Sequence, residues 1–459
     1  MTDSEDADEP RSSSNRAWHD EADDRPRFDT RSLHAGHGAD PATGARAPPL
    51  YQTTSYEFED ADHAADLYAL DADDDIYSRI SNPTTRSLED RLASLEGGAD
   101  AVATASGMAA FDSLVLVLAD GGDNVVCSTD TYGGTTAHLS HTASKRGVEP
   151  RFVDTLDYAA YEEAVDSDTA FVHVETVGNP SLVTPDFERV ADIAHDAGAP
   201  LVVDNTFATP YLCNPLDHGA DAVWESTTKW LHGSGTTVGG VLVDGGSFDW
   251  RAHADSYPEL AGDNAAYHDT DFSRDFPDAP LAAAARWRAL RSLGNQQSPF
   301  DAWQTLQGLE TLPLRMERHC ENAAIVAEYL ADHDDVAWVA YPGLESHETH
   351  ENASEYLDGG YGGMIAFGLE DGFEAGKAFC ENVELASFLA NVGDAKTLVI
   401  HPASTTHAQL SPEEQRSAGV SPDLIRLSVG IEDPADLLAD IDRAIEESVE
   451  RRGGATDPT

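Results

Sequence analysis

The chain has 459 residues, 28 basic and 84 acidic, for a formal charge of -56 with 41% hydrophobic content. That length exceeds one ordinary core and predicts at least two domains, while the apolar content is that of a folded chain. So negative a chain excludes nucleic acid and anionic membranes as partners, since both are bound through Lys and Arg neutralising phosphate, and it reads as adapted to a cytoplasm whose concentrated salt screens the charge.

Residues 1–27 are almost wholly Asp, Glu, Ser, Ala, Arg and Pro, which predicts a disordered acidic tail, and 451–459 are assigned a second tail. The N-terminus lacks a basic and then apolar leader, and no apolar run reaches membrane-spanning length, so the expected location is cytoplasmic. Cys127, Cys213, Cys320 and Cys380 lie far apart without a Cys-x-x-Cys pair and are expected as packed thiols, with neither disulfide nor metal. Residues 28–75 are rich in Pro, Gly and Thr with a few aromatics and predict an extended arm lying on a neighbouring subunit.

From residue 76 to 297 short apolar runs alternate with helical spacing. Strands are predicted at 124–127, 170–174, 200–203 and 221–224, and a helix over 186–197 between Pro185 and Gly198. This alternation predicts an α/β domain, doubly wound, with a mostly parallel central sheet and helices on both faces. Residues 245–280 lack periodicity and predict a long irregular insertion, a length at which loops are often functional. Over 298–450 the pattern changes to a long amphipathic helix, 299–330, then strands near 336–339 and 363–368, predicting a smaller C-terminal α/β domain.

Four stretches carry chemistry. Residues 103–110 run from an apolar strand through Ser106, Gly107 and Met108 into a helix over 111–118, where backbone amides at a helix N-terminus suit a phosphate; many such turns bind nothing. Tyr132 follows the strand ending at Cys127 and offers a ring face for stacking or for ordinary packing. Asp204 ends an apolar strand, where a carboxylate enters the crevice beyond a parallel sheet; an N-cap or a metal ligand reads as well. Lys229 is one of only four lysines, with Lys145, Lys377 and Lys396, and follows Ser226 and Thr228 in a polar loop after a buried-looking strand. A desolvated lysine there would be a nucleophile that forms an imine with an aldehyde; alone, the segment reads rather as a surface lysine after a strand.

Taken together, in the order phosphate turn, aromatic, Asp, Lys, these stretches resemble the Cys/Met-metabolism (trans-sulfuration) family of fold-type I pyridoxal-phosphate (PLP) enzymes, from about Arg31 to Leu437. The resemblance implies PLP as cofactor, anchored by Lys229. It makes Asp204 the partner of the pyridinium nitrogen, Tyr132 the stacking aromatic, and Ser106, Gly107, Met108, Ser226 and Thr228 the phosphate binders. It further implies that Tyr77-Ser78-Arg79, with Asn82-Pro83-Thr84 after it, reaches a neighbouring subunit's phosphate, so that sites are shared within dimers of a homotetramer. Arg426 is implied to grip the substrate carboxylate, assisted by Asn179 and Asn391, with Thr406 lining the same pocket. The acidic run Asp71 to Asp75 before Tyr77 departs from the family pattern.

Residues 235–244, 308–318 and 390–398, and the insertion containing Phe248-Asp249-Trp250, look more like O-acetylhomoserine sulfhydrylases than the cystathionine enzymes. The implied reaction is γ-replacement, with O-acetylhomoserine and sulfide or a small thiol as substrates. Cystathionine γ-synthase and the γ-lyases share every residue named around PLP, and a PLP-free acidic binding protein of the same fold is the alternative outside the enzymes.

Overall fold

A computed structural model describes residues 26–70, 72, 74–264, 269–417 and 419–453. Its centre is a sheet of seven strands: β1 (Asp100–Thr104), β2 (Asn124–Ser128), β3 (Glu149–Val153), β4 (Thr169–Glu175), β5 (Leu201–Asp204), β6 (Ala222–Glu225) and β7 (Gly240–Asp244). Their order is β1-β7-β6-β5-β4-β2-β3, and β7 runs against the other six. Valine-rich runs form most of these strands because β-branched side chains fit a pleated surface buried on both faces, whereas the edge strand β3 is largely exposed.

Period-two alternation divides the strands between two cores. Val172, Val203 and Val223 join Leu88 and Leu92 of α3 (Pro83–Glu96) on one face; α1 (Phe28–His34) and α2 (Ala61–Ala69) precede that helix. Phe171, Val202 and Trp224 join Phe111 and Leu114 of α4 (Gly107–Leu118) on the other. Phe111 is fully buried and meets the rings of Phe171, His173 and Trp224, so its truncation to Ala costs about 3–5 kcal/mol.

Because six strands are parallel, the chain segments leaving β1, β2, β4, β5 and β6 all emerge along one edge, the carboxyl edge where open α/β sheets bind ligands. α5 (Phe187–Asp196) connects β4 to β5 and is capped by the Asp186 carboxylate, which accepts the Arg189 amide.

Beyond β7, residues 245–264 and 269–280 hold little regular structure, yet Trp250, Tyr257, Leu260 and Phe272 are buried against the α4 face. Tyr257 also donates to the Ala170 carbonyl at 3.0 Å. The irregular segment therefore covers a core. α6 (Pro299–Leu309) and α7 (Leu312–Ala331) lead to a second sheet of β8 (Val336–Ala340), β9 (Met364–Leu369), β10 (Ser387–Phe388), β11 (Leu398–Ile400) and β12 (Leu424–Ser428), ordered β10-β11-β12-β9-β8. α7, α8 (Gly372–Asn382) and α9 (Pro434–Gly453) bury one face of it through Val326, Phe367, Phe379, Ile425, Leu427 and Ile441. Arg426, between Ile425 and Leu427, falls on the opposite face.

Several expectations need correction. The expected single helix over 299–330 is two helices, because Pro313 has no amide to donate and its ring would clash with the carbonyl at position 309. The arm at 28–75 is not simply extended: it contains α1 and α2, the latter nucleated by Asp60 accepting the amides of Asp62 and His63. The helix expected from Phe111 begins at Gly107, since Ser106 caps it. At the C-terminus α9 runs to Gly453, past the expected start of the tail at 451; the tail's remainder and residues 1–25 lie outside the described residues. No described helix is long and apolar enough to cross a membrane, and all four cysteines are buried and unpaired.

Candidate active site

The phosphate-type turn is built where β1 meets α4. Ser106 is extended (φ -168°) and its Oγ accepts the Ala109 amide at 3.2 Å, starting a twelve-residue helix whose first-turn amides stand outside its own hydrogen-bond ladder. Two glycines make the turn possible. A Cβ on Gly240 of β7 would lie 2.3 Å from the Ser106 carbonyl oxygen, and one on Gly107 would lie 2.9 Å from Cβ of Ser226. The turn thus touches the loop after β6, and Ser226 is held there by its amide donating to Thr206 Oγ1 at 2.9 Å. Thr228 is committed elsewhere: its hydroxyl accepts the Gly239 amide at 3.0 Å and donates to the Gly239 carbonyl at 3.2 Å.

Lys229 follows directly, with Nζ donating to Asn391 Oδ1 at 2.6 Å. Burial, helped by the charge of Arg426, lowers its pKa to about 8. Arg426 reaches across from β12 and donates from Nη1 to Asn179 Oδ1 at 3.0 Å. Burial weakens its hold on its proton, Tyr132 opposes that, and no Asp or Glu of the described residues pairs with it. A desolvated guanidinium with an amide as its partner retains donors for an incoming carboxylate.

Asp204 lies beneath, 6% exposed at the end of β5, with Oδ1 accepting the Thr206 amide at 2.9 Å. Burial raises its pKa, and the Thr206 hydrogen bonds oppose that only partly. Glu175, its register partner on β4, is raised further by burial and by the Asp204 charge. Glu175 Oε1 accepts Thr131 Oγ1 at 2.9 Å and the Tyr132 amide, and Tyr132 itself is 47% exposed.

Ser106, Gly107, Met108, Tyr132, Asp204, Ser226 and Lys229 therefore share the carboxyl edge of one sheet, and Arg426 and Asn179 join them from the second sheet and the β4 loop. Asn391 is bonded to Lys229, and among the described residues no hydrogen bond joins it to Arg426. Thr406 is exposed and bonds its neighbour His407 at 2.9 Å; the Arg426 charge, after burial, helps lower the His407 pKa. Tyr77 and Arg79 make no described contact with this cluster. Arg79 bonds the Arg291 carbonyl and lies over the Tyr77 ring, its guanidinium carbon 5.4 Å from the centroid, while the Tyr77 side chain is 41% exposed. Sequence reasoning missed Glu175, although it closes an apolar strand just as Asp204 does, and it missed Thr206 and His407, whose relations to Ser226 and to Arg426 span about twenty positions.

The family described as Cys/Met metabolism PLP-dependent enzyme matches residues 29–446. The chain is 49% identical over 420 residues to a homocysteine synthase of Schizosaccharomyces pombe, covering 91% of this chain and 98% of that one. An O-acetyl-L-homoserine sulfhydrylase of Leptospira meyeri is 46% identical over 426 residues, 91% of this chain and 96% of the relative. Among solved structures, an O-acetylhomoserine (thiol)-lyase of Campylobacter jejuni, which carries N'-pyridoxyl-lysine-5'-monophosphate, superposes with a TM-score of 0.88 at 38% identity, over 92% of this chain and 100% of the other.

Proposed function

The chain belongs to the Cys/Met metabolism PLP-dependent enzyme family, and from that premise we propose that it is an O-acetylhomoserine sulfhydrylase. It would replace the acetate at Cγ of O-acetylhomoserine with sulfide or methanethiol, giving homocysteine or methionine. The observation that carries the chemistry is the convergence of Lys229 with Arg426, a weakened amine beside a carboxylate-free guanidinium. The sulfhydrylase and homocysteine synthase relatives carry the choice of substrate.

The residues fit the cofactor. Asp204 is a buried carboxyl with no cation against it among the described residues, and a protonated ring nitrogen would supply one. The absence of a Cβ on Gly107 lets the first-turn amides of α4 come close to Ser226, and those amides with its hydroxyl would hold a phosphate. Bound there, PLP supplies an aldehyde for amine capture and an electron sink for the charge left when Cα loses a proton.

The chain's own groups do the rest. Arg426 holds the substrate carboxylate through its fork, with Asn179 fixing the plane of that fork. Asp204 holds the proton on the ring nitrogen. Lys229 Nζ, neutral above about pH 8, takes the Cα proton and returns it later, while Asn391 keeps the amine aimed. Tyr132 covers the ring face. Having passed the Cα proton on, Lys229 Nζ would take a second proton, from Cβ, as acetate leaves Cγ with the C–O electron pair; the sulfur then forms its bond at Cγ, its own proton departs with the acetate, and Cβ and Cα are reprotonated.

Tyr77 and Arg79 are proposed to complete the phosphate site of a second copy, which makes the enzyme a dimer at least and a homotetramer by family resemblance. A cytoplasmic, salt-rich setting is consistent with the buried unpaired cysteines and the charge of -56. Incubating purified protein with O-acetylhomoserine plus sulfide, plus cysteine, or alone tests the function. Homocysteine as the main product supports it; cystathionine or 2-oxobutanoate as the main product rejects it.

A further inference from the structure

Glu175 is a buried carboxyl that the reaction scheme leaves unused. It ends β4 beside Asp204 in parallel register, so both side chains leave the same face of the sheet. The side chain is 95% hidden in effect, at 5% exposure, and its Oε1 receives two donors from one loop, Thr131 Oγ1 at 2.9 Å and the Tyr132 amide. That loop carries the half-exposed Tyr132 ring and runs into the short helix Gly133–Ala137. Charged and titratable groups face the carboxyl from each side: Asp204 on β5, Asp130 in the same loop and Cys127 on β2.

Two carboxyls packed side by side away from water repel one another, and the arrangement becomes favourable when a cation sits against them. On the reading that PLP binds here, that cation is the protonated ring nitrogen. We propose that Glu175 is a positioning residue for the cofactor: it holds Tyr132 over the ring by the loop backbone, and, once the ring cation offsets the repulsion between the two carboxyls, it places a second negative charge beside Asp204 that strengthens the proton on the ring nitrogen.

The two tasks separate by substitution. Glu175→Gln keeps an acceptor for Thr131 and Tyr132 at nearly the same shape but removes the charge. Glu175→Ala removes both. The pH midpoint of the visible absorbance band is read on holoenzyme, and cofactor affinity comes from PLP titration of the resolved protein. Losing a negative charge one strand away destabilises the protonated chromophore, so in both variants the midpoint should fall by about one pH unit, tenfold in proton affinity. Glu175→Gln should hold PLP nearly as tightly as the parent, and Glu175→Ala should hold it at least about tenfold more weakly. A parental midpoint in Glu175→Gln, or equal PLP affinity in the Gln and Ala variants, overturns the assignment. A parent protein with no visible band sinks the PLP reading instead, so the two failures are distinct.

Discussion

Replacing Arg426 by Lys isolates the geometry of carboxylate recognition from its charge. Arg426 is pinned by strand pairing to Ile400 on one side and Ala366 on the other, and its Nη1 is already directed at Asn179. That leaves the other edge of the guanidinium for two parallel bonds to a carboxylate, whereas an ammonium on a shorter stem supplies one at best. A charge-assisted hydrogen bond is worth about 1.5–3 kcal/mol, so losing one should raise KM for O-acetylhomoserine roughly ten- to a hundredfold. The grip is equal in ground and transition states, so kcat should stay within about threefold. Steady-state homocysteine formation, with product quantified by chromatography, reads both constants. The reasoning fails if Arg426→Lys keeps the parental KM. Arg426→Met extends the test, because it also removes the charge that helps burial lower the Lys229 pKa. The pH dependence of PLP uptake by its resolved form should then shift to higher pH than in the parent.

Lys229→Ala should lack the visible band and turnover; a yellow, fully active variant would refute the anchor. Because the neutral amine is the nucleophile and its pKa is lowered to about 8, PLP uptake by resolved parent protein should accelerate with pH below about 8 and level off above it, whereas an unperturbed lysine would keep accelerating to about 10.4. If Arg79 serves the neighbour's site, mixing inactive Lys229→Ala and Arg79→Ala chains and letting them exchange should restore up to about a quarter of parental activity, since half the dimers are mixed and each has one intact site; no recovery rejects sharing. A surface carrying -56 should make the melting temperature rise as KCl goes from about 0.1 to 2 M, and a flat curve would remove the salt-adapted reading.

The sheet was legible because its signal is local. Each strand is a run of apolar residues whose alternate members enter different cores, as Val202 and Val203 do, and each site segment follows such a run directly. Lys229, Asp204, Tyr132 and the Ser106 turn could be found for that reason. What was illegible depends on partners remote in sequence. Asn391 meets Lys229 across 162 positions and Asn179 meets Arg426 across 247, and no spacing rule says which amide serves which cation. The break between α6 and α7 was signalled by Pro313, but helical spacing on both sides concealed it. Glu175 was overlooked because a carboxylate at a strand end has many uses, and only its place beside Asp204 and under Tyr132 selects one.

The same residue type thus serves opposite ends in this chain, and dielectric decides which. Exposed Asp and Glu face water, where about 1 M salt shortens their mutual repulsion to a few ångströms. Asp204 and Glu175 are shut away from that salt, so ions in the medium cannot offset their repulsion and only a cation delivered to the site can. Salt should therefore govern whether the chain is folded while leaving the pH midpoint of the bound chromophore nearly fixed. A midpoint that moved with KCl as strongly as the melting temperature would mean that the two carboxyls are open to solvent, and that their pairing cannot hold a proton on the ring.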